Sequence, residues 1–245
     1  MKLALMTWPE VEAYLECSKG IILPVGSTEQ HGPMGLIGTD ALCASEIAEA
    51  AADMAGAIVA PTIAYAPAPF NTGFPGTVSI SEQTFLALVA DICDGLSAQG
   101  FETVYVLNAH GANLAPLRDL SERFHPCGIH IRSWWDFEPV NTLRRSLYGS
   151  WEGLHATPSE VAITQARFRV VEPGAAAVPP RQLNPDEIAE RAGDRHGSAE
   201  DHRREFPDGR VGAHSALARP EDGERLLNLA AMLVAEDYRE ILGEP

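Results

Sequence analysis

The sequence predicts a three-layer α/β/α fold around a mostly parallel central sheet, and three observations carry that prediction. Short apolar runs rich in β-branched residues alternate with longer amphipathic stretches; the runs have strand length; and polar residues cluster just after two of them. Strands alternating with helices of ten or more residues imply βαβ units, which put helices on both faces of a parallel sheet. At 245 residues the chain can bury one large core, so residues 1–245 are read as a single domain.

The elements follow in order. Thr7-Trp8-Pro9-Glu10 has the pattern of a capping box with proline just after the cap, and opens a short helix to about Cys17. Gly20 to Val25 is a buried strand. Thr39 to Ala55, rich in alanine and acidic residues, is a helix, and Ala57 to Ile63 returns to strand. Ser81 caps a long helix whose Phe85, Leu88, Val89, Ile92 and Leu96 recur at helical spacing, ending at Gln99-Gly100. Thr103 to Asn108 is the clearest strand, followed by a glycine-containing loop, a helix over 114–124 and a strand over Ile129 to Trp134. Thr157 and Pro158 open a further helix as cap and first turn. Residues 172–215 contain Pro179-Pro180 and a charged stretch from Asp186 to Arg210, and are expected to form a surface excursion or subunit contact. Glu221 to Leu242 is amphipathic and closes the chain as a helix.

Composition narrows the function. A formal net charge of −16 argues against nucleic acid and anionic membrane as partners. The four cysteines lack zinc-finger or CxxC spacing and fit reduced thiols; Met1 to Met6 is too short for a signal-peptide core, and no stretch is long enough to span a bilayer. The expectation is a cytoplasmic protein acting on a small molecule. No G-x-S-x-G elbow surrounds Ser27, and neither G-x-G-x-x-G nor a Walker sequence is present, which removes serine-hydrolase and nucleotide-binding readings.

The residues that carry chemistry fall into three segments. In Leu23-Pro24-Val25-Gly26-Ser27-Thr28-Glu29-Gln30-His31-Gly32-Pro33, followed by Gly38-Thr39-Asp40, two carboxylates and an imidazole lie at a strand's end. Glu29 and His31 are two apart and point the same way if extended; Thr39-Asp40 also suits a helix cap. One imidazole between two carboxylates suits a borderline divalent metal. The second segment, Asn108-Ala109-His110-Gly111-Ala112-Asn113, leaves the strongest strand. Parallel sheets gather ligands at the carboxyl ends of their strands, so His110 is a candidate to join the first segment, while Asn108 and Asn113 brace the turn. In the third, Trp151 to Glu160, His155 stands just before the cap as an acid–base candidate, and Glu160 faces the same helix mouth.

These motifs, together with Gly73-Phe74-Pro75-Gly76-Thr77 and in this order over about residues 20–165, closely resemble the creatininase (creatinine amidohydrolase) family. The resemblance implies a creatininase-like three-layer fold, a cytoplasmic homo-oligomer, often a hexamer, and two divalent metal ions per chain, zinc, manganese or iron. It implies that Glu29, Asp40 and His110 hold one ion, that His31, Asp40 and Glu160 hold the other, and that Asp40 bridges them. A shared water between two such ions becomes a hydroxide near neutral pH and attacks an amide carbonyl, with His155 giving a proton to the departing nitrogen.

The chain departs from creatininase itself at two places: Ala112 stands where creatininase has a metal-binding glutamate, and Leu154 stands where it has a glutamate before the histidine. Trp151, Glu152 and Phe74 are the candidate substrate contacts. The expected activity is metal-dependent hydrolysis of a small amide, lactam or formamide C–N bond. Hydrolysis of an oxidised cyclitol ring and a non-catalytic metal-containing binding protein are the alternatives.

Overall fold

The computed structural model describes residues 1–121 and 127–243. Four strands, β1 (Gly20–Val25), β2 (Ile58–Val59), β3 (Thr103–Asn108) and β4 (Gly128–Ser133), form an all-parallel sheet in the order β2-β1-β3-β4. β1 and β3 are central and pair from Gly20 against Thr103 to Val25 against Asn108. Their residues alternate between two cores, as a strand's period of two requires. Ile22, Tyr105 and Leu107 face one core, built with α2 (Thr39–Ala55), α5 (Glu138–Tyr148), α6 (Pro158–Arg167) and α9 (Pro220–Leu242). Ile21, Leu23, Val104 and Val106 face the other, with α1 (Trp8–Leu15), α3 (Glu82–Ala98) and α4 (Leu114–Ser121). The three-layer α/β architecture follows.

Local chemistry explains the element ends. Thr7 and Glu10 form the capping box of α1, and the Thr84 N–H donates to the Ser81 hydroxyl at the start of α3. Helix α1 stops at Leu15, two residues short of the expectation, and β4 begins and ends one residue earlier than expected. Of the helix expected over 114–124, α4 covers residues up to Ser121; 122–124 lie outside the described residues.

β2 departs most from the sequence reading: two residues replace the expected run from Ala57 to Ile63. The cause is a pair of prolines. Ile22 and Pro24 direct their carbonyls toward β2, accepting from Ala60 and Ile63. Pro24 has no N–H to donate back, and Pro61, opposite the gap, has none either. Pairing resumes as an isolated bridge between Val25 and Ile63.

The connections set where a ligand can sit. After β1 the chain crosses to one face and forms α2; after β3 it crosses to the other and forms α4. Adjacent strands whose connections part to opposite faces leave a crevice at their carboxyl ends. Gly26 lets the end of β1 touch the start of α2: a Cβ there would lie 2.3 Å from the Ala41 backbone nitrogen. Gly26→Ala is therefore expected to push α2 away and to cost about 1–3 kcal/mol of stability. Denaturant unfolding checks this; an unchanged midpoint would remove Gly26 as the reason α2 approaches so closely.

Candidate metal centre

Glu29 and His31 follow β1, Asp40 lies in the first turn of α2, His110 follows β3, and Glu160 opens α6. The crevice between β1 and β3 brings all five together, and His155 joins them from the loop before α6. Glu29 and His31 lie beyond the strand end, so a bent loop rather than an extended strand turns their side chains inward. Three groups of possible ligand atoms result, each within 4.8 Å of one another: Glu29, Asp40 and His110; His31, Asp40 and Glu160; and Glu29, His31 and His155. Asp40 is common to the first two. Its Oδ1 lies 2.9 Å from His31 Nε2 and its Oδ2 3.1 Å from His110 Nδ1. It does not cap α2, whose cap position is Gly38. Glu160 accepts from the Thr157 N–H in a capping box and also stands 3.9 Å from His31.

The three imidazoles share one arrangement. His31 donates its Nδ1–H to the Glu29 carbonyl at 3.1 Å, His110 its Nε2–H to the Pro67 carbonyl at 2.9 Å, and His155 its Nε2–H to the Gln30 carbonyl at 2.7 Å. A carbonyl can only accept, so the opposite nitrogen of each neutral ring turns a lone pair toward the carboxylates. Histidines that bind metals are oriented in this way. Glu29 Oε1 and Asp40 Oδ2 are buried with no hydrogen-bond partner. Both face His110 Nδ1, at 3.3 and 3.1 Å. Lone pairs pressed against buried carboxylate oxygens repel unless a cation lies between them. These donors therefore fit a divalent ion.

The electrostatics agree. Burial opposes a charged His31, yet the carboxylates of Asp40, Glu160 and Glu29 push its pKa up to about 10. His110 is raised in the same way, against burial, by Glu29 and Asp40. Asp40, also buried, is brought down to about 2 by His31 and His110. Burial and the Asp40 charge raise Glu160 to about 7. With no cation the cluster would recruit protons to balance its carboxylates. His155 differs: burial, with His31 adding to it, lowers its pKa to about 3 and keeps it neutral.

Residues absent from the sequence reading complete the site. Asn71 donates to Glu29 Oε2 at 2.9 Å, and Gln30 donates to Asn71 and to the Gly209 carbonyl. Residues 209–214 hold His155 in place: Val211 N–H donates to the His155 carbonyl, and His214 N–H to that of Trp151. Ala156, next to His155, takes a left-handed φ of 56°, the kind of strain that persists where surroundings over-determine a site. Asp194, from the segment expected at the surface, reaches 3.8 Å from His110. Its pKa is raised to about 7 by burial and by the Glu29 and Asp40 charges. Only the Gly193-Asp194 pair inside a charged stretch could have signalled it.

A cavity of about 370 Å³ opens over the cluster, walled by Trp134, Trp135, Arg144, Glu152 and Leu154. Arg144 pairs with Glu152 at 2.8 Å and lies over the Trp134 ring. Of the three expected substrate contacts, Glu152 lies in this wall. Trp151 packs on His214 and Phe74 beneath Arg203; neither is among the described residues lining the cavity.

Convergent carboxylates and imidazoles at the carboxyl edge of a parallel sheet define the class of site, a centre suited to divalent metal ions. A family model described as creatininase, creatinine amidohydrolase, matches residues 4–237, and the chain belongs to this family. The creatinine amidohydrolase of Pseudomonas putida is 26% identical over 96% of this chain and 95% of its own. Two relatives match over shorter stretches. The 3-dehydro-scyllo-inosose hydrolase of Thermotoga maritima is 36% identical over 43% of this chain and 34% of its own. The mycofactocin precursor peptide peptidase of Mycolicibacterium smegmatis is 37% identical over 40% and 41%. A crystal structure of creatinine amidohydrolase shares the fold, with a TM-score of 0.75 at 24% identity over 100% of this chain and 98% of that one. A manganese creatininase does so at 0.74 and 25% identity, covering 98% of each chain.

Beside the site, His196 and His202 meet edge to face with ring centroids 4.4 Å apart and pack against Phe70 and Phe206. Burial lowers both pKa values, that of His196 to about 3. The unfolded chain protonates each below about 6.5 while the folded chain does not, so folding stability falls as pH drops below that value. The loss levels off only below the folded pKa values. The thermal midpoint of the metal-free chain should therefore fall from pH 7 to pH 4, and His202→Phe should shallow the slope. Identical slopes for the two chains would refute this assignment.

Proposed function

We propose that the chain hydrolyses the C–N bond of a small amide, cyclic amide or formamide, using two divalent ions held by the five clustered residues. Glu29, Asp40 and His110 would hold one ion; His31, Asp40 and Glu160 would hold the other, with Asp40 shared. The observation that carries the reading is the common tautomer of the imidazoles, each tied to a backbone carbonyl with its free lone pair turned inward. Bound there, the ions supply an activated water and a Lewis acid for a carbonyl oxygen.

The protein's own groups do the rest. His155 is neutral, with Nδ1 free and 3.5 Å from Glu29 Oε1. It can take a proton from water at that nitrogen and pass it to the leaving nitrogen. Its Nε2–H stays on the Gln30 carbonyl, which keeps the ring's orientation through the cycle. Trp134 and Trp135 give the substrate an apolar wall, and the Arg144–Glu152 pair adds polar groups without net charge. Zinc, manganese and iron all suit mixed imidazole and carboxylate donors.

Ring opening of an oxidised cyclitol is a second reading, favoured by the likeness to the Thermotoga maritima hydrolase. A panel of lactams, formamides, small linear amides and oxidised cyclitols separates the two. No metal-dependent turnover on any of them would favour a binding protein instead. Elemental analysis is expected to give about two ions per chain. Asp40→Ala should lose most of the metal and all activity, whereas His155→Ala should keep the metal and slow turnover by about 10²–10⁴-fold. Unchanged metal content in Asp40→Ala would end the shared-ligand assignment.

The same reading takes the enzyme to be a cytoplasmic homo-oligomer. Leu5 and Trp8 stand 80% and 75% exposed, as residues awaiting a second copy would. Light scattering should show a multiple of the 26.4 kDa chain; a monomer at micromolar concentration would contradict it.

A further inference from the structure

We propose that Asp194 is a further ligand of the ion held by Glu29, Asp40 and His110, so that binding this ion fastens the segment around Asp194 over the cavity. The inference rests on the metal-centre reading above and adds a residue that reading does not use.

The local backbone is shaped around this one carboxylate. Gly193 and Asp194 both take left-handed φ values, of 75° and 56°. A non-glycine residue there is uncommon and costs energy unless its side chain repays it. The side chain turns inward and is 8% exposed, although most of its neighbours from Pro185 to Glu200 are exposed or half-buried. Gly111 makes room for it: a Cβ on Gly111 would lie 2.3 Å from Asp194 Oδ2. The Ala112 N–H, on the same turn, favours the charged carboxylate.

The distances suit a shared ion. Asp194 Oδ2 stands 3.8 Å from His110 Nδ1. Glu29 Oε1 and Asp40 Oδ2 stand 3.3 and 3.1 Å from the same nitrogen. Two donors held about 2.1 Å from one ion lie roughly 3–4 Å apart, a range that contains all three separations. Glu29 Oε1 and Asp40 Oδ2 have no hydrogen-bond partner; Asp194 stands just outside the group they form with His110, so it closes on the ion only as the segment fastens. Asp194 Oδ1 lies 3.9 Å from His196 Nε2, beyond hydrogen-bond reach.

The experiment compares chelator-stripped wild type with Asp194→Asn, an isosteric change that tolerates the left-handed backbone. Each is titrated with Zn²⁺ and with Mn²⁺ against a chromophoric chelator, and hydrogen exchange across residues 190–197 is followed with and without the ion. Asp194→Asn is expected to weaken one of two ions at least tenfold and leave the other unchanged. In wild type, the ion should slow exchange at 190–197; in Asp194→Asn it should not. If wild type binds two ions and Asp194→Asn binds both equally well, the assignment of Asp194 is overturned and the metal centre stands. If wild type takes up neither Zn²⁺ nor Mn²⁺, both readings fall. Should Asp194→Asn not fold, wild-type exchange decides: slowing at 190–197 supports the assignment, and no change overturns it.

Discussion

Asp40 holds two imidazoles at once, and the rest of the site is arranged so that it can. Its two oxygens face His31, which follows β1, and His110, which follows β3. A carboxylate buried this deeply must be neutralised or paired. The pairing works only if the ends of β1 and β3 and the start of α2 meet at one point. Gly26 permits the close approach of β1 and α2, and the β1–β3 register sets the spacing between the two histidines. The parting of α2 and α4 to opposite faces then leaves that point open to solvent.

The imidazoles add the second constraint. Each spends its far N–H on a backbone carbonyl, from Glu29, Gln30 or Pro67. Backbone acceptors do not titrate or rotate, so each ring is held in one tautomer and one orientation. The free lone pairs of the three rings then face the carboxylates of Glu29, Asp40 and Glu160. Burial sends His155 the opposite way from His31, keeping one imidazole neutral beside a cluster of charged groups. That contrast is what lets neighbouring histidines take different roles.

Much of this was legible along the chain, for reasons of range. The Ser81 cap, the helix from Thr39 to Ala55 and the strand from Thr103 to Asn108 depend on neighbours within a few residues, and the structure matches each. Ligand-type residues followed strand signals, so their meeting could be read from the rule for parallel sheets. Strand β2 was less legible, because its length is decided by Pro24 on a different strand together with Pro61. The roles of Asn71, Gln30 and Asp194 were not legible: their partners lie far away in sequence, and beyond the Gly193-Asp194 pair nothing local distinguishes them from ordinary loop residues.

By itself the sequence determined the layers, the order of the elements and the residue types available at each strand end, since these rest on hydrophobic period, caps and glycine. Tertiary structure alone decided which of those residues meet, which nitrogen of each histidine is free, and that residues 209–214 and Asp194 fold back onto the centre. The physical reason is that tautomer, burial and charge balance belong to contacts between distant segments. No residue carries them until the chain has closed around it.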